Sequence, residues 1–287
     1  MNLPATGTSP APRSSSLDEI PTLDEHGARV QAMFSDIAPG YDRANRLMSA
    51  GTDVRWRRKA VADLLAARAA VEPAVDPRTG AHATILDLCA GTLDSTLEIH
   101  RRYPEAMLIG GDFSAGMLAT GERRVAQIGG PKASAKITPM HMDAHDLPLG
   151  DESVDAIFCA FGVRNLSDLR AAGREQLRCL RPGGQLVVLE FFQPTAWVTR
   201  AFHAVYNNTV LPVVGWACTG NLDAYRYLPR SIGGMRTAAE YMSLLGEIGF
   251  EGMRVEVLTL GVASIVRATK PAPKGALAPA TDGESPR

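Results

Sequence analysis

The segment Thr84-Ile85-Leu86-Asp87-Leu88-Cys89-Ala90-Gly91-Thr92-Leu93-Asp94, running into Ser95-Thr96-Leu97-Glu98-Ile99-His100, constrains the fold of this chain more than any other. An apolar run ends in an acidic residue, turns at a glycine and enters a helical pattern. That is a strand, a tight turn and a helix start. The unpaired N–H groups and positive end of such a helix favour a polar or anionic ligand. Gly91 lets backbone approach that ligand, because it has no Cβ. The G-x-G-x-x-G fingerprint of dinucleotide sites is missing, as is the Gly-Lys-Ser/Thr of a phosphate loop.

The same strand-and-helix alternation continues downstream. Strands are predicted at Thr84–Cys89, Met107–Gly111, Ile137–Met142, Val154–Ala160 and Gln185–Phe191. Helices are predicted at Ser95–Tyr103, Ser114–Ile128 and Asp168–Leu180. Near-continuous apolar strands separated by helices indicate a parallel sheet covered on both faces, wound by right-handed crossovers. A helix at Ala238–Ile248 and two strands, Met253–Leu258 and Val262–Arg267, close the chain as a hairpin. The expected class is α/β and Rossmann-like, with a mostly parallel seven-stranded sheet, helices on both faces and a C-terminal antiparallel hairpin. Two helices, Ala28–Ile37 and Asp53–Ala70, precede the sheet.

Residues 1–24 and 271–287 are rich in Ser, Pro, Ala, Thr and Gly and are expected to be disordered tails. The body is then 25–270, with an N-terminal helical lid at 25–72 and an insertion at 192–234. A net charge of −1 argues against nucleic acid as a partner. The four cysteines form no C-x-x-C pair, and His141 and His145 lack ligand spacing, so no metal site is expected. No apolar leader and no uninterrupted apolar stretch of membrane-spanning length is present, so a cytoplasmic location is expected.

Ligands of open parallel sheets lie beyond the carboxyl ends of the strands. Three aspartates fall there: Asp87, Asp112 and Asp143. Asp112, in Gly111-Asp112-Phe113, stands where a carboxylate can accept hydrogen bonds from both ribose hydroxyls. Asp143-Ala144 can read an adenine edge through a carboxylate and a backbone N–H. Each aspartate alone is more simply a turn or cap residue. Three at successive strand ends, beside the Gly91-Thr92 turn, point to one ligand. His145 reads as a turn residue.

The D-x-x-x-G-x-x-D pattern from Asp87 to Asp94 resembles the first motif of class I S-adenosylmethionine methyltransferases. Four further stretches resemble the ubiquinone/menaquinone biosynthesis C-methyltransferases. They are Tyr41-Asp42-Arg43-Ala44-Asn45 through Ser49, Gly51 and Trp56; Phe161-Gly162-Val163-Arg164-Asn165; Arg178 to Phe191; and Val210-Leu211-Pro212 with Tyr225 to Ile232. The resemblance implies S-adenosylmethionine as methyl donor, no metal, and methylation of a ring carbon of a polyprenyl hydroquinone. Demethylmenaquinol is the foremost acceptor and a 2-polyprenyl-6-methoxy-1,4-benzoquinol the other. It implies donor binding by Asp87, Gly91, Thr92, Asp112, Phe113, Asp143 and Ala144. It implies catalytic work by Arg164, stabilising a phenolate, Asn165, orienting the quinol oxygen, Tyr41, closing the lid, and Asp143, accepting a proton.

Three residues depart from the family pattern: Leu93 where glycine is usual, Asp53 where His or Gln is usual, and Phe192 where Ser is usual. They leave two other readings open. One is a methyltransferase of the same lineage acting on a soluble aromatic or secondary metabolite. The other is a non-catalytic partner in quinone biosynthesis. Aromatic and basic residues at 192–217 suit a peripheral contact at the inner face of a membrane, and equally a helix packed on the core or a homodimer contact.

Overall fold

The computed structural model describes residues 25–37, 46–47, 49–195, 197, 199–200 and 231–273. Helices α1 (Glu25–Ile37), α2 (Thr52–Val61) and α3 (Ala66–Val71) precede the sheet. Then come β1 (Thr84–Leu88), α4 (Asp94–Arg102), β2 (Met107–Asp112), α5 (Ala115–Arg124), α6 (Gly130–Lys136), β3 (Ile137–His141), β4 (Val154–Ala160), α7 (Leu169–Cys179) and β5 (Leu180–Glu190). Helix α8 (Ala238–Ile248) and strands β6 (Glu251–Leu258) and β7 (Ala263–Thr269) complete the order.

The seven strands form one sheet in the order β3-β2-β1-β4-β5-β7-β6. The first five pair parallel, whereas β7 is antiparallel to both β5 and β6. The order reverses between β1 and β4, and a crevice opens at such a point beyond the carboxyl ends of the strands. Two apolar cores cover the two faces. One includes Trp56, Leu64, Leu93 and Tyr103; the other includes Leu88, Leu147, Leu186 and Tyr241. The expected architecture is the observed one. Among the described residues no helix is long and apolar enough to cross a membrane.

The N-terminal helices differ from the expected single helix at Asp53–Ala70. The helix breaks after Val61 and resumes at Ala66. The breaker is the fully buried Tyr103. Its hydroxyl accepts the Leu64 N–H at 3.0 Å and faces the carbonyls of Val61 and Ala62 at 3.0 Å each. A side chain inserted in the helical ladder is a recognised cause of such breaks. The expected helix Ser114–Ile128 ends as α5 at Arg124 and passes through a wide turn at Val125–Gly129 into α6. There Pro131 has no N–H to donate and Gly130 takes a left-handed φ of 69°. The sheet also anchors the helical layer. Asp155 at the start of β4 accepts from Arg68 of α3 at 2.9 Å and from the Thr84 N–H at 2.8 Å.

Tyr103→Phe leaves the Leu64 N–H buried without an acceptor. The expected loss is about 1–3 kcal/mol, read as a lower urea midpoint at unchanged slope. An unchanged midpoint would mean that the break does not depend on Tyr103.

Candidate active site

A cleft of about 1020 Å³, partly open to solvent, lies over the β1 and β4 ends. Gly91, Thr92, Asp112, Phe113, Asp143 and Ala144 line it, as does Asn165. These predicted site residues therefore meet in one place. Tyr41 and most of the insertion lie outside the described residues.

Asp112 ends β2 and organises the floor of the cleft. Its Oδ2 accepts the Gly91 N–H and its Oδ1 the Ser114 N–H, each at 2.8 Å. Burial pushes its carboxyl up to about 6, against the pull of these backbone hydrogen bonds. Each carboxylate oxygen keeps a lone pair for a further donor. Ser114 caps α5 by accepting the Met117 N–H at 3.3 Å. A Cβ on Gly91 would meet nothing within 4 Å, so its backbone faces open space. Carboxylates at the ends of β2 and β3, apolar walls from Phe113, Met117 and Met142, and an open glycine turn suit a nucleoside with an amino-acid extension.

Asp87 is placed differently from its expected role. It pairs inside the sheet with Gly110 and Phe158 and does not line the cleft. The chain runs on through Leu88 to Ala90 before it crests, which leaves Asp87 below the crest. Its Oδ2 accepts from Thr96 Oγ1 at 2.5 Å, tying β1 to α4. Burial raises its carboxyl to about 7.

Asp143 is partly buried, which raises its carboxyl. Hydrogen bonds from the His145 N–H at 2.9 Å and from its ring outweigh this and hold it below the usual range. His145 Nδ1 lies 2.7 Å from Asp143 Oδ1, and its Nε2 faces the Asp168 N–H at 3.2 Å. His145 thus links the β3 loop to the cap of α7, and it lines the cleft. It is more than the turn residue that the sequence indicates, because one of its partners, Asp168, lies 23 residues downstream.

Arg164 does not line the cleft. Its Nη1 donates to Glu190 Oε1 at 2.8 Å and to the Phe161 carbonyl, while its N–H donates to Glu190 Oε2 at 3.1 Å. Its side chain is 5% exposed and that of Glu190 0%, so the pair is fully desolvated. Removal of one member of such a pair costs about 3–5 kcal/mol. The FGVRN turn is held from below by this pair, and Phe161 and Asn165 face the cleft above it. Phe161 stacks on Phe191 at 4.6 Å, and Trp56 meets Phe191 edge-on at 6.2 Å.

Three non-glycine residues around the crest have left-handed backbone: Cys89 at φ 57°, Leu93 at 58° and Phe161 at 59°. Such strain gathers where structure is fixed for a ligand. Leu93 is fully buried and turned away from the cleft. A Cβ on Gly110 would come within 2.4 Å of its Cδ2, and one on Gly121 within 2.5 Å of its Cγ. Two glycines thus make room for the leucine. Phe192 is likewise buried, 5.5 Å from the Tyr241 ring.

Leu93→Gly relieves the left-handed backbone but empties a core position. Stability is expected to fall by about 1–4 kcal/mol, with S-adenosylmethionine affinity unchanged within about twofold. Thermal unfolding and calorimetry read the two effects. Markedly tighter binding would show that Leu93 intrudes on the ligand.

Residues 22–270 match the ubiE/COQ5 methyltransferase family. A demethylmenaquinone methyltransferase of Thermus thermophilus is 42% identical over 233 residues, covering 81% of this chain and 97% of the relative. The ubiquinone/menaquinone biosynthesis C-methyltransferase UbiE of Geobacter sulfurreducens is 37% identical over 249 residues, covering 86% and 91%. Among solved structures, a SAM-dependent methyltransferase of Thermotoga maritima described as a possible histamine N-methyltransferase shares the fold. It has a TM-score of 0.52 at 18% identity, over 84% of this chain and 99% of that one. S-adenosylmethionine is the methyl donor. With this fold, this cleft and a match across most of its length, the chain belongs to the ubiE/COQ5 methyltransferase family.

Proposed function

We propose that this enzyme methylates a ring carbon of a prenylated hydroquinone, with demethylmenaquinol as the foremost acceptor. The carrying observation is the 42% identity, across 97% of its length, to a demethylmenaquinone methyltransferase. The wall of the cleft supports an aromatic acceptor. Phe161, stacked on Phe191 and backed by Trp56, makes that wall aromatic beside Asn165. Stacked rings contribute about 0.5–1.5 kcal/mol beyond area burial.

When bound, S-adenosylmethionine supplies the methyl group as an electrophile. The residues of the chain bind and orient. Asp112 holds the ribose, Gly91 and Thr92 form the turn against the donor, and Asp143 with Ala144 and Phe113 hold the base. Asn165 orients the phenolic oxygen, so that the ortho carbon faces the methyl group. Alignment of this kind contributes up to about 7–11 kcal/mol of barrier lowering. Arg164 acts through position: its pair with Glu190 fixes the turn that carries Phe161 and Asn165. Asp143 is a weak proton acceptor, because its bonds with His145 stabilise the charged form. Tyr41 and most of 192–217 lie outside the described residues; the roles proposed for them, closing the site and meeting the polyprenyl tail at a membrane surface, rest on the family resemblance alone. Leu93 and Phe192, which prompted the alternative of a soluble aromatic substrate, are both turned into the core and leave the cleft unaltered.

The test supplies purified enzyme and methyl-labelled S-adenosylmethionine with demethylmenaquinol in detergent, the methoxy-benzoquinol, and a panel of soluble phenols. Label is expected in the demethylmenaquinol. Label confined to the soluble phenols would overturn the proposal.

A further inference from the structure

Arg57 of α2 lines the cleft, and neither the sequence pattern nor the family comparison singles it out. It is 8% exposed. Its Nε donates to Ser95 Oγ at 3.0 Å and its Nη1 to Asp53 Oδ2 at 2.5 Å, with Asp94 Oδ2 at 3.4 Å. Its Nη2 makes no hydrogen bond among the described residues, although the residue lines the cleft. That nitrogen is not among the buried unpartnered atoms, so it meets solvent in the cleft and can exchange water for a ligand oxygen.

Charged side chains gather at this end of the cleft. Asp94 is shared by three arginines: Arg46 at 2.9 Å, Arg124 at 2.6 Å and Arg57. Asp53 is the other carboxylate in contact with Arg57, and it is itself fixed by Ser49 Oγ at 2.7 Å. Three guanidiniums thus stand with Asp94, Asp53 and, within electrostatic reach of Arg57, the buried Asp87. Helix α4 adds its positive N-terminus at the same point.

Position along the cleft identifies the anion. Asp143 and Ala144 stand at one end, Asp112 in the middle, and Thr92, Asp94 and Ser95 at the other. A donor whose base and ribose occupy the first two places carries its amino-acid end to the third. We infer that Arg57 binds the methionyl carboxylate of S-adenosylmethionine, with its Nη2 as donor. This rests on the reading of the cleft as the donor site. Asp53 then acts as a positioning residue, holding the Arg57 plane while Phe161, 5.4 Å below its Cζ, supports one face.

The test is calorimetric titration of wild type, Arg57→Met and Arg57→Lys with S-adenosylhomocysteine and with decarboxylated S-adenosylmethionine. Arg57→Met is expected to weaken S-adenosylhomocysteine on the order of 10–100-fold and to leave the decarboxylated compound unchanged within about twofold. Arg57→Lys keeps the charge and should recover part of the loss. If Arg57→Met does not fold, Arg57→Lys carries the comparison, with a larger loss for the carboxylate-bearing ligand expected. Equal losses for both ligands would reduce Arg57 to a structural role and overturn the inference. Unchanged binding of both with slower quinol turnover would place Arg57 on the acceptor and overturn it too. Failure of the wild type to bind either ligand would overturn the donor-site reading itself.

Discussion

The Asp112 carboxylate is the knot on which the site depends. One oxygen holds the Gly91 N–H and the other the Ser114 N–H, so a single side chain fixes the crest after β1 against the entry to α5. The turn at Gly91 and Thr92, the cap of α5 and the floor of the cleft take their positions from it. The same carboxylate is buried, and burial opposes its charge. Backbone donors offset part of that cost, and a ligand with two hydroxyls offsets more. A group that burial makes expensive to keep charged is thereby suited to reward binding.

A second buried charge pair lies under the turn at 161–165. Arg164 and Glu190 lie beneath the turn that presents Phe161 and Asn165, and neither is exposed enough for water to replace the other. An ion pair of this kind adds little net stability, since desolvation offsets attraction. Its value here is geometric: the pair specifies where the turn sits. At the far end, Arg46, Arg57 and Arg124 converge on Asp94 at the start of α4. The cleft is framed by three charge clusters, each tied to a different strand end or helix start.

The sheet, its parallel order and the Asp112 and Asp143 positions were legible in the sequence, because strand ends in a doubly wound sheet follow from local periodicity. What escaped depended on distant partners. The break in the expected helix Asp53–Ala70 is made by Tyr103, some 40 residues away, and no local breaker marks it. The direction of Leu93 depends on Gly110 and Gly121, which lie on other elements. Asp87 falls below the crest because the chain rises three residues further before turning. Arg164 belongs to a motif that stands out, but the motif does not reveal that Glu190 claims its guanidinium. Arg57 sits in the run Arg55-Trp56-Arg57-Arg58-Lys59, and only the fold brings Ser95 and Asp94 against it.

The most direct measurement is calorimetric titration of S-adenosylmethionine into wild type and Asp112→Asn at pH 7 and pH 5. Burial pushes the Asp112 carboxyl up to about 6, so it is charged at pH 7 and largely protonated at pH 5. Only the charged form accepts from both ribose hydroxyls, and wild-type affinity should fall about tenfold between pH 7 and pH 5. Asp112→Asn should bind weakly and alike at both. Tight binding by Asp112→Asn, equal to wild type at pH 7, would contradict the placement of the donor on Asp112.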